Sequence, residues 1–347
     1  MSAASEQSDV ERFLLGAGID TATIATARGD GTLALLLAEI MFRPGVPLHT
    51  LEESAKLTGV DPDVVHGLWR SLGFADPDPS EPTVSEEDIT AALTLLASVR
   101  GGDLELALQR IRTATLSLSK AAEAQADNFV TETMDALEAG VDADTVATRV
   151  LADDEPALVI RQMTHVLRHQ MAAALHRARG AVAAGLDETV GFVDLVDYTK
   201  EVEALSPPEI AHLVERFEAL TLDRIAAGGG RVVKLVGDAV LFHTPDAEVG
   251  AHIALDLVLH ITADPDLLTA RAGLARGPVA RIQGDIYGPA VNRASRLAAF
   301  AEPGTVLAGT EVVQSLGDGF ATTARGSVVP KGLGEIDVFT IELAASD

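Results

Sequence analysis

The chain has 347 residues, enough for two domains, and carries 26 Lys and Arg against 52 Asp and Glu, a formal net charge of −26. So acidic a protein repels nucleic acid and anionic membrane wherever no basic patch intervenes. With no cysteine, no basic-then-apolar leader and no apolar run long enough to span a bilayer, it offers no disulfide, thiolate ligand or cysteine nucleophile and reads as soluble and cytoplasmic.

Residues 1–153 read as an all-helical domain. Leu33, Leu36, Leu37 and Ile40 recur at helical spacing, as do Leu104, Leu106, Leu108, Ile111 and Leu116 if two neighbouring faces are buried. Between Leu51 and Val65 a turn at Gly59 precedes Asp61, an expected N-cap, and Pro62 at the first helical position. This helix-turn-helix resembles the DNA readers of the mercury-resistance regulator type. Its second helix carries Asp61, Asp63 and His66, with only Arg70 basic. Phosphate contacts need several Lys or Arg, so residues 51–73 read as a bundle element and DNA is not an expected partner. Asp76 to Pro82 is an acidic, Pro-rich connector. Ser85 to Asp88 opens a further helix with a capping-box pattern.

Residues 154–182 read as a linker helix through Ile160, Met163, Val166, Leu167, Met171 and Leu175, ended by Gly180 and then Gly185. It is the most basic stretch of the chain, with Arg161, Arg168, Arg177 and Arg179 beside His165, His169 and His176. Histidine changes charge between about pH 5 and 8. The helix is therefore a candidate pH switch, with solvated surface histidines as the plain alternative.

In residues 183–347 the pattern changes. A buried strand from Thr189 to Val196 holds one interior acid, Asp194. A helix runs from Ser206 and Pro207 to Ala227. A hairpin over Arg231–Phe242 turns at Gly237-Asp238, and a helix spans Glu248–Ile261. A strand over Leu268–Leu274, a helix over Ala290–Ala299, a short strand over Thr305–Ala308, a short helix capped by Thr310 and a closing strand over Asp337–Leu343 follow. Strand, helix, hairpin, helix, strand is the βαββαβ order of a ferredoxin-like sheet, so the expected class is α+β behind an all-α domain.

In such a sheet the first strand lies beside the hairpin, and Asp194 can meet Asp238. Paired carboxylates suit Mg²⁺ completed by substrate phosphates. Lys234, inside an apolar strand, must reach water, an anion or a ligand. The turn after Asp194 leads into a helix start whose free N–H groups can cradle phosphate. Asn292 and Arg296 are four apart and share a helical face that can grip a nucleotide. Taken singly, each has a plain reading as a turn acid, an exposed lysine or a solvated face.

Taken together, three segments resemble the motifs of class III nucleotidyl cyclases. Phe192 to Thr199 resembles the first metal motif, Lys234 to Asp238 the Lys-x-x-Gly-Asp motif, and Gly284 to Leu297 the Gly-Asp-x-x-Gly-x-x-Val-Asn-x-x-x-Arg motif. The resemblance implies that Asp194, Asp238 and the Leu195 carbonyl hold two Mg²⁺ or Mn²⁺ ions. It implies that Lys234 and Asp285 read adenine, so that ATP is the substrate. Asn292 would place the ribose, Arg296 would hold charge on the α-phosphate, and Lys331 would reach the terminal phosphates. It also implies a head-to-tail homodimer, with carboxylates from one chain and Lys234, Asp285, Asn292 and Arg296 from the other. Two positions depart from the pattern: Asp197 stands where the family usually has Gly, and Tyr198 where it has Phe. The helical half resembles the regulatory domain of soluble actinobacterial adenylyl cyclases, some of which respond to pH and fatty acids. That implies autoregulation by pH or by a small-molecule or lipid ligand. The alternatives are a nucleotide-binding regulator with little turnover and a DNA-binding regulator acting through residues 51–73.

Overall fold

The computed structural model describes residues 8–98, 104–184, 187–329 and 334–344. The chain divides into two compact units, Met1–Ala172 and Ala173–Asp347.

The regular elements of the first unit are all helices among its described residues, apart from an isolated β-bridge between His49 and Val84. Ser8 caps α1 (Asp9–Gly16), and Asp20 caps α2 (Thr21–Gly29), each side chain accepting from N–H groups of the first turn. The apolar α3 (Leu33–Phe42) follows. Next come α4 (Leu51–Thr58), whose capping box joins Thr50 to Glu53, and α5 (Pro62–Ser71), capped by Asp61 with Pro62 in its first turn. Gly59 ends α4 at φ +68°, as the helix-turn-helix pattern requires. α6 (Glu86–Ser98) opens on a box in which Ser85 and Asp88 bond each other's N–H groups. α7 (Leu104–Glu138), α8 (Ala143–Asp153) and α9 (Glu155–Ala184) complete the helices.

Leu14, Ile24, Leu33, Leu37 and Ala147 form the main core of this unit. A second cluster gathers Leu68, Leu108 and Ile111. Only one of the two faces expected on α7 is buried: Leu106 and Leu116 are exposed within the chain. α9 runs on through Gly180 to Ala184, so that glycine does not end the helix, and Gly185 lies outside the described residues. The boundary between the two units falls inside α9.

The second unit is the α+β part. β1 (Asp187–Leu195) is followed by the single-turn α10 (Tyr198–Val202) and α11 (Pro207–Ala227). The hairpin β2 (Arg231–Val236) and β3 (Ala239–Thr244) leads to α12 (Ala247–Ala263) and β4 (Ala270–Pro278). A short ribbon, β5 (Ala280–Ile282) and β6 (Asp285–Tyr287), precedes α13 (Pro289–Phe300). β7 (Val306–Gly309), α14 (Thr310–Val313), β8 (Phe320–Val328) and β9 (Ile336–Leu343) close the unit. Thr310 is the first helical residue of α14, and Gly309 takes the cap position.

The main sheet runs β2-β3-β1-β4-β7-β9-β8. β1 pairs antiparallel with both β3 and β4, the ferredoxin-like arrangement that the order of elements requires. Phe217, Phe242, Leu257 and Leu274 fill one face with α11 and α12, while Val190, Leu241, Ala294 and Leu297 fill the other with α13. α13 can lie this close because β4 has Gly273 beneath it. A Cβ there would stand 2.1 Å from the Ala298 nitrogen and 2.4 Å from the Ala294 oxygen.

Candidate active site

The hairpin turn places the first pair of acids. Gly237 adopts φ +61°, which glycine takes without strain, and it leaves Asp238 one residue before β3. On the neighbouring strand Asp194 pairs with Ala239, and the Leu195 N–H donates to the Asp238 carbonyl at 3.1 Å. Burial, with the charge of Asp194 adding to it, raises the Asp238 carboxyl above its ordinary value, while a backbone hydrogen bond and Arg271 oppose the shift. The two carboxylates thus feel one another.

Arg271, absent from the sequence reading, grips Asp194 with Nε at 3.1 Å and Nη2 at 2.8 Å. Its Nη1 donates to the Ala299 carbonyl at 3.2 Å, tying the pair to the end of α13. The signal available was its register opposite Asp194 in the β1–β4 ladder, which becomes visible only once the strands are paired.

No cluster of three or more His, Asp or Glu among the described residues is arranged to hold a metal. Two carboxylates on neighbouring strands, one of them raised by burial with the other's charge adding to it, fit a hard cation that takes its remaining ligands from phosphate and water. The residues present therefore fit a divalent ion of the Mg²⁺ kind.

A β-bulge aims the lysine. The β2–β3 register shifts between Val232 and Lys234. Plain alternation would put Lys234 on the face of Val232, which packs into the core; the shift turns it out, and Val232 and Leu235 both remain inward. Lys234 Nζ then meets Asp285 Oδ2 at 2.5 Å, and Asp285 Oδ1 accepts from the Ile286 N–H at 2.7 Å. Burial pushes the Asp285 carboxyl up, but the Lys234 bond and other hydrogen bonds prevail and hold it below its ordinary value. A donor and an ionised acceptor therefore stand side by side across 51 residues of sequence.

Asn292 and Arg296 lie exposed on α13. No hydrogen bond or ion pair engages either side chain among the described residues, which leaves both for a ligand. Lys331 lies outside the described residues. Asp197 sits at φ +58°, a left-handed conformation that favours glycine. In the other unit, Arg70, the one Arg or Lys of α5, is held by Asp76 at 2.6 Å, leaving that helix no free cation for a phosphate.

The profile of the adenylate and guanylate cyclase catalytic domain matches residues 186–343. An adenylate cyclase of Streptomyces coelicolor is 33% identical over 297 residues, covering 83% of this chain and 76% of that protein. A pH-sensitive adenylate cyclase of Mycobacterium tuberculosis is 29% identical over 304 residues, again covering 83% of this chain and 76% of that protein. Among solved structures, the adenylyl cyclase CyaB of P. aeruginosa aligns at 21% identity and a TM-score of 0.43, over 46% of this chain and 96% of that one. By the matched profile and the Streptomyces coelicolor relative, the chain belongs to the adenylate and guanylate cyclase family, as an enzyme whose catalytic domain spans residues 186–343.

Proposed function

We propose that the protein is an adenylyl cyclase that converts ATP to 3′,5′-cyclic AMP and pyrophosphate at sites shared across a homodimer. The observation that carries the choice of base is the Lys234–Asp285 pair at 2.5 Å. Adenine offers an acceptor at N1 and a donor at its N6 amino group, which an ammonium and a carboxylate match. Guanine offers the reverse, and a buried polar mismatch discriminates strongly.

The reaction joins the ribose O3′ to the α-phosphorus in line and breaks that phosphorus's bond to the bridging oxygen, so pyrophosphate leaves. Two Mg²⁺ or Mn²⁺ ions held by Asp194, Asp238 and the Leu195 carbonyl would lower the pKa of the hydroxyl and neutralise phosphate charge. Asn292 positions the ribose. Arg296 holds the charge that grows on the α-phosphate, and its loss should lower turnover on the order of 10²–10³-fold, by analogy with oxyanion donors. Arg271, paired with Asp194, can turn to phosphate oxygens once Asp194 is engaged elsewhere. Lys331 remains a candidate for the terminal phosphates.

Residues 1–153 act as the regulatory domain, 154–182 as the linker and 183–347 as the catalytic domain. Two observations support a regulatory role for the helical part. The exposed apolar residues Ile160, Val166, Leu167, Met171 and Leu175 give α9 a surface for a second copy. The helical unit also holds an apolar cavity of about 170 Å³, lined by Leu51, Val65, Leu68, Trp69, Val84 and Leu96 among others, which suits a small apolar regulator. No helix among the described residues is long and apolar enough to cross a membrane. The second reading, nucleotide binding with little turnover, rests on Asp197, an extra carboxylate three residues after Asp194. Incubation with ATP and Mn²⁺ or Mg²⁺ between pH 5 and 8 decides: cyclic AMP is expected, and no product with either metal rejects the cyclase.

A further inference from the structure

Away from the metal carboxylates, β1 buries a second acid. Glu188 is 3% exposed and His243, facing it from β3, is 4% exposed. His243 Nδ1 lies 2.8 Å from Glu188 Oε2, and the guanidinium of Arg281 donates to Oε1. His243 Nε2 is buried with no hydrogen-bond partner among the described residues. Burial pushes the Glu188 carboxyl up, but the His243 bond and the His243 and Arg281 charges outweigh it and hold the group below its ordinary value. None of these three residues belongs to the cyclase motifs. A buried ion pair seldom exceeds well-packed apolar residues in stability, so its presence calls for another role.

That role follows from what Arg281 is attached to. It stands on β5, paired with Ile286 of β6, one residue from Asp285. The ribbon turns at Gln283 and Gly284, both at positive φ, and Asp285 follows at once. Arg231 of β2 donates to the Gly284 carbonyl at 3.2 Å. The main sheet thus grips the ribbon through Glu188 of β1 and Arg231 of β2, and Arg231 is three residues before Lys234. Three-residue strands have little stability of their own and depend on such contacts.

We infer that Glu188, through Arg281, is a positioning residue for base recognition: it holds the β5–β6 ribbon so that Asp285 meets Lys234 and the amino group of adenine. The inference rests on the reading of Lys234 and Asp285 as the base-recognising pair. Glu188 stands six residues from Asp194 along β1, about 20 Å at strand spacing, so the tether serves the base end of the site and not the metal end.

The test uses the full chain with ATP and with inosine triphosphate, which has a carbonyl where adenine has its amino group. Arg281 is the side chain to vary, because its 36% exposure lets it be truncated without opening a core cavity. Arg281→Ala should lower the ATP-over-inosine ratio of kcat/KM about tenfold, mostly through KM for ATP, because small misplacements of a recognising group weaken it strongly. The Mn²⁺ concentration for half activity should not move. Arg281→Lys should recover most of the ratio, and amide exchange over residues 282–287 should quicken in Arg281→Ala. An unchanged ratio in Arg281→Ala, while Asp285→Asn collapses it, overturns the inference and leaves the base-reading pair standing. Loss of kcat and metal response together with the ratio also overturns it, because that reports a general loosening. If Asp285→Asn leaves the ratio unchanged, the pair reads no base, and the inference falls with it.

Discussion

Asp197 shows how one residue can oppose its own site. Its φ of +58° strains a side chain that glycine would lack, and its carboxylate stands three residues after Asp194. Asp197→Gly relieves left-handed strain of about 1–2 kcal/mol but gives the unfolded chain about 0.5–1 kcal/mol of added entropy, so stability should stay level or rise by no more than about 1.5 kcal/mol. Turnover should rise, because a negative charge is withdrawn from beside the triphosphate. Steady-state rates with Mg²⁺ check this, and a fall in turnover would show that Asp197 contributes to the reaction. Asp238 makes the complementary case. Its folded carboxyl titrates above the ordinary 3.8, so the ionised form is disfavoured by the fold and the penalty appears as pH rises through that value. Asp238→Asn should therefore leave the metal-free Tm at neutral pH unchanged or higher and abolish its rise on adding Mn²⁺. A metal-free Tm well below wild type would contradict that sign.

At the scale of elements, local chemistry made some features legible and hid others. Gly237-Asp238 between two Val- and Leu-rich runs announced the hairpin, and Ser206-Pro207 announced α11, because turn and cap residues act over a few positions. The β5–β6 ribbon left no such trace. Its strands have three residues each, and its left-handed turn uses Gln283, an unusual residue at positive φ. β8 was equally silent: Phe320–Val328 is largely exposed and its interior is Thr, Ala, Arg, Gly and Ser, so it shows no apolar alternation. In the site, the motif resemblance picked out Asp194, Asp238, Lys234 and Asp285. Arg271 and the Glu188 tether were illegible, because their partners lie 77 and 93 residues away and only strand register joins them. Gly273 carries a sharper expectation. The atoms that a Cβ would meet are backbone of α13, which cannot rotate aside. Gly273→Ala should destabilise the protein by about 3 kcal/mol or more and displace the helix that bears Asn292 and Arg296. Chemical denaturation checks the first effect and residual activity below the transition the second; wild-type values for both would mean that α13 has room to shift.

At the scale of the whole molecule, α9 crosses from one unit to the other and carries the candidate sensor. His165 and His169 stack edge to face with ring centres 4.5 Å apart, and His176 lies near Arg179 at 3.4 Å. Histidine gains positive charge as pH falls, and on a helix already bearing four arginines that gain would bias any two-state linkage between the units. Activity of the full chain is therefore expected to rise at mildly acidic pH, and a His165→Ala/His169→Ala double variant to lose that rise. Profiles of one shape would place the sensor elsewhere. The central claim, that ATP is cyclised at sites each completed by two chains, is tested most directly by mixing inactive variants. Asp194→Ala and Arg296→Ala, each nearly inactive alone, should on subunit exchange form mixed dimers with one intact site, and random pairing predicts about a quarter of wild-type cyclic AMP formation. No recovery in a mixture where exchange is shown to have occurred would contradict the shared site.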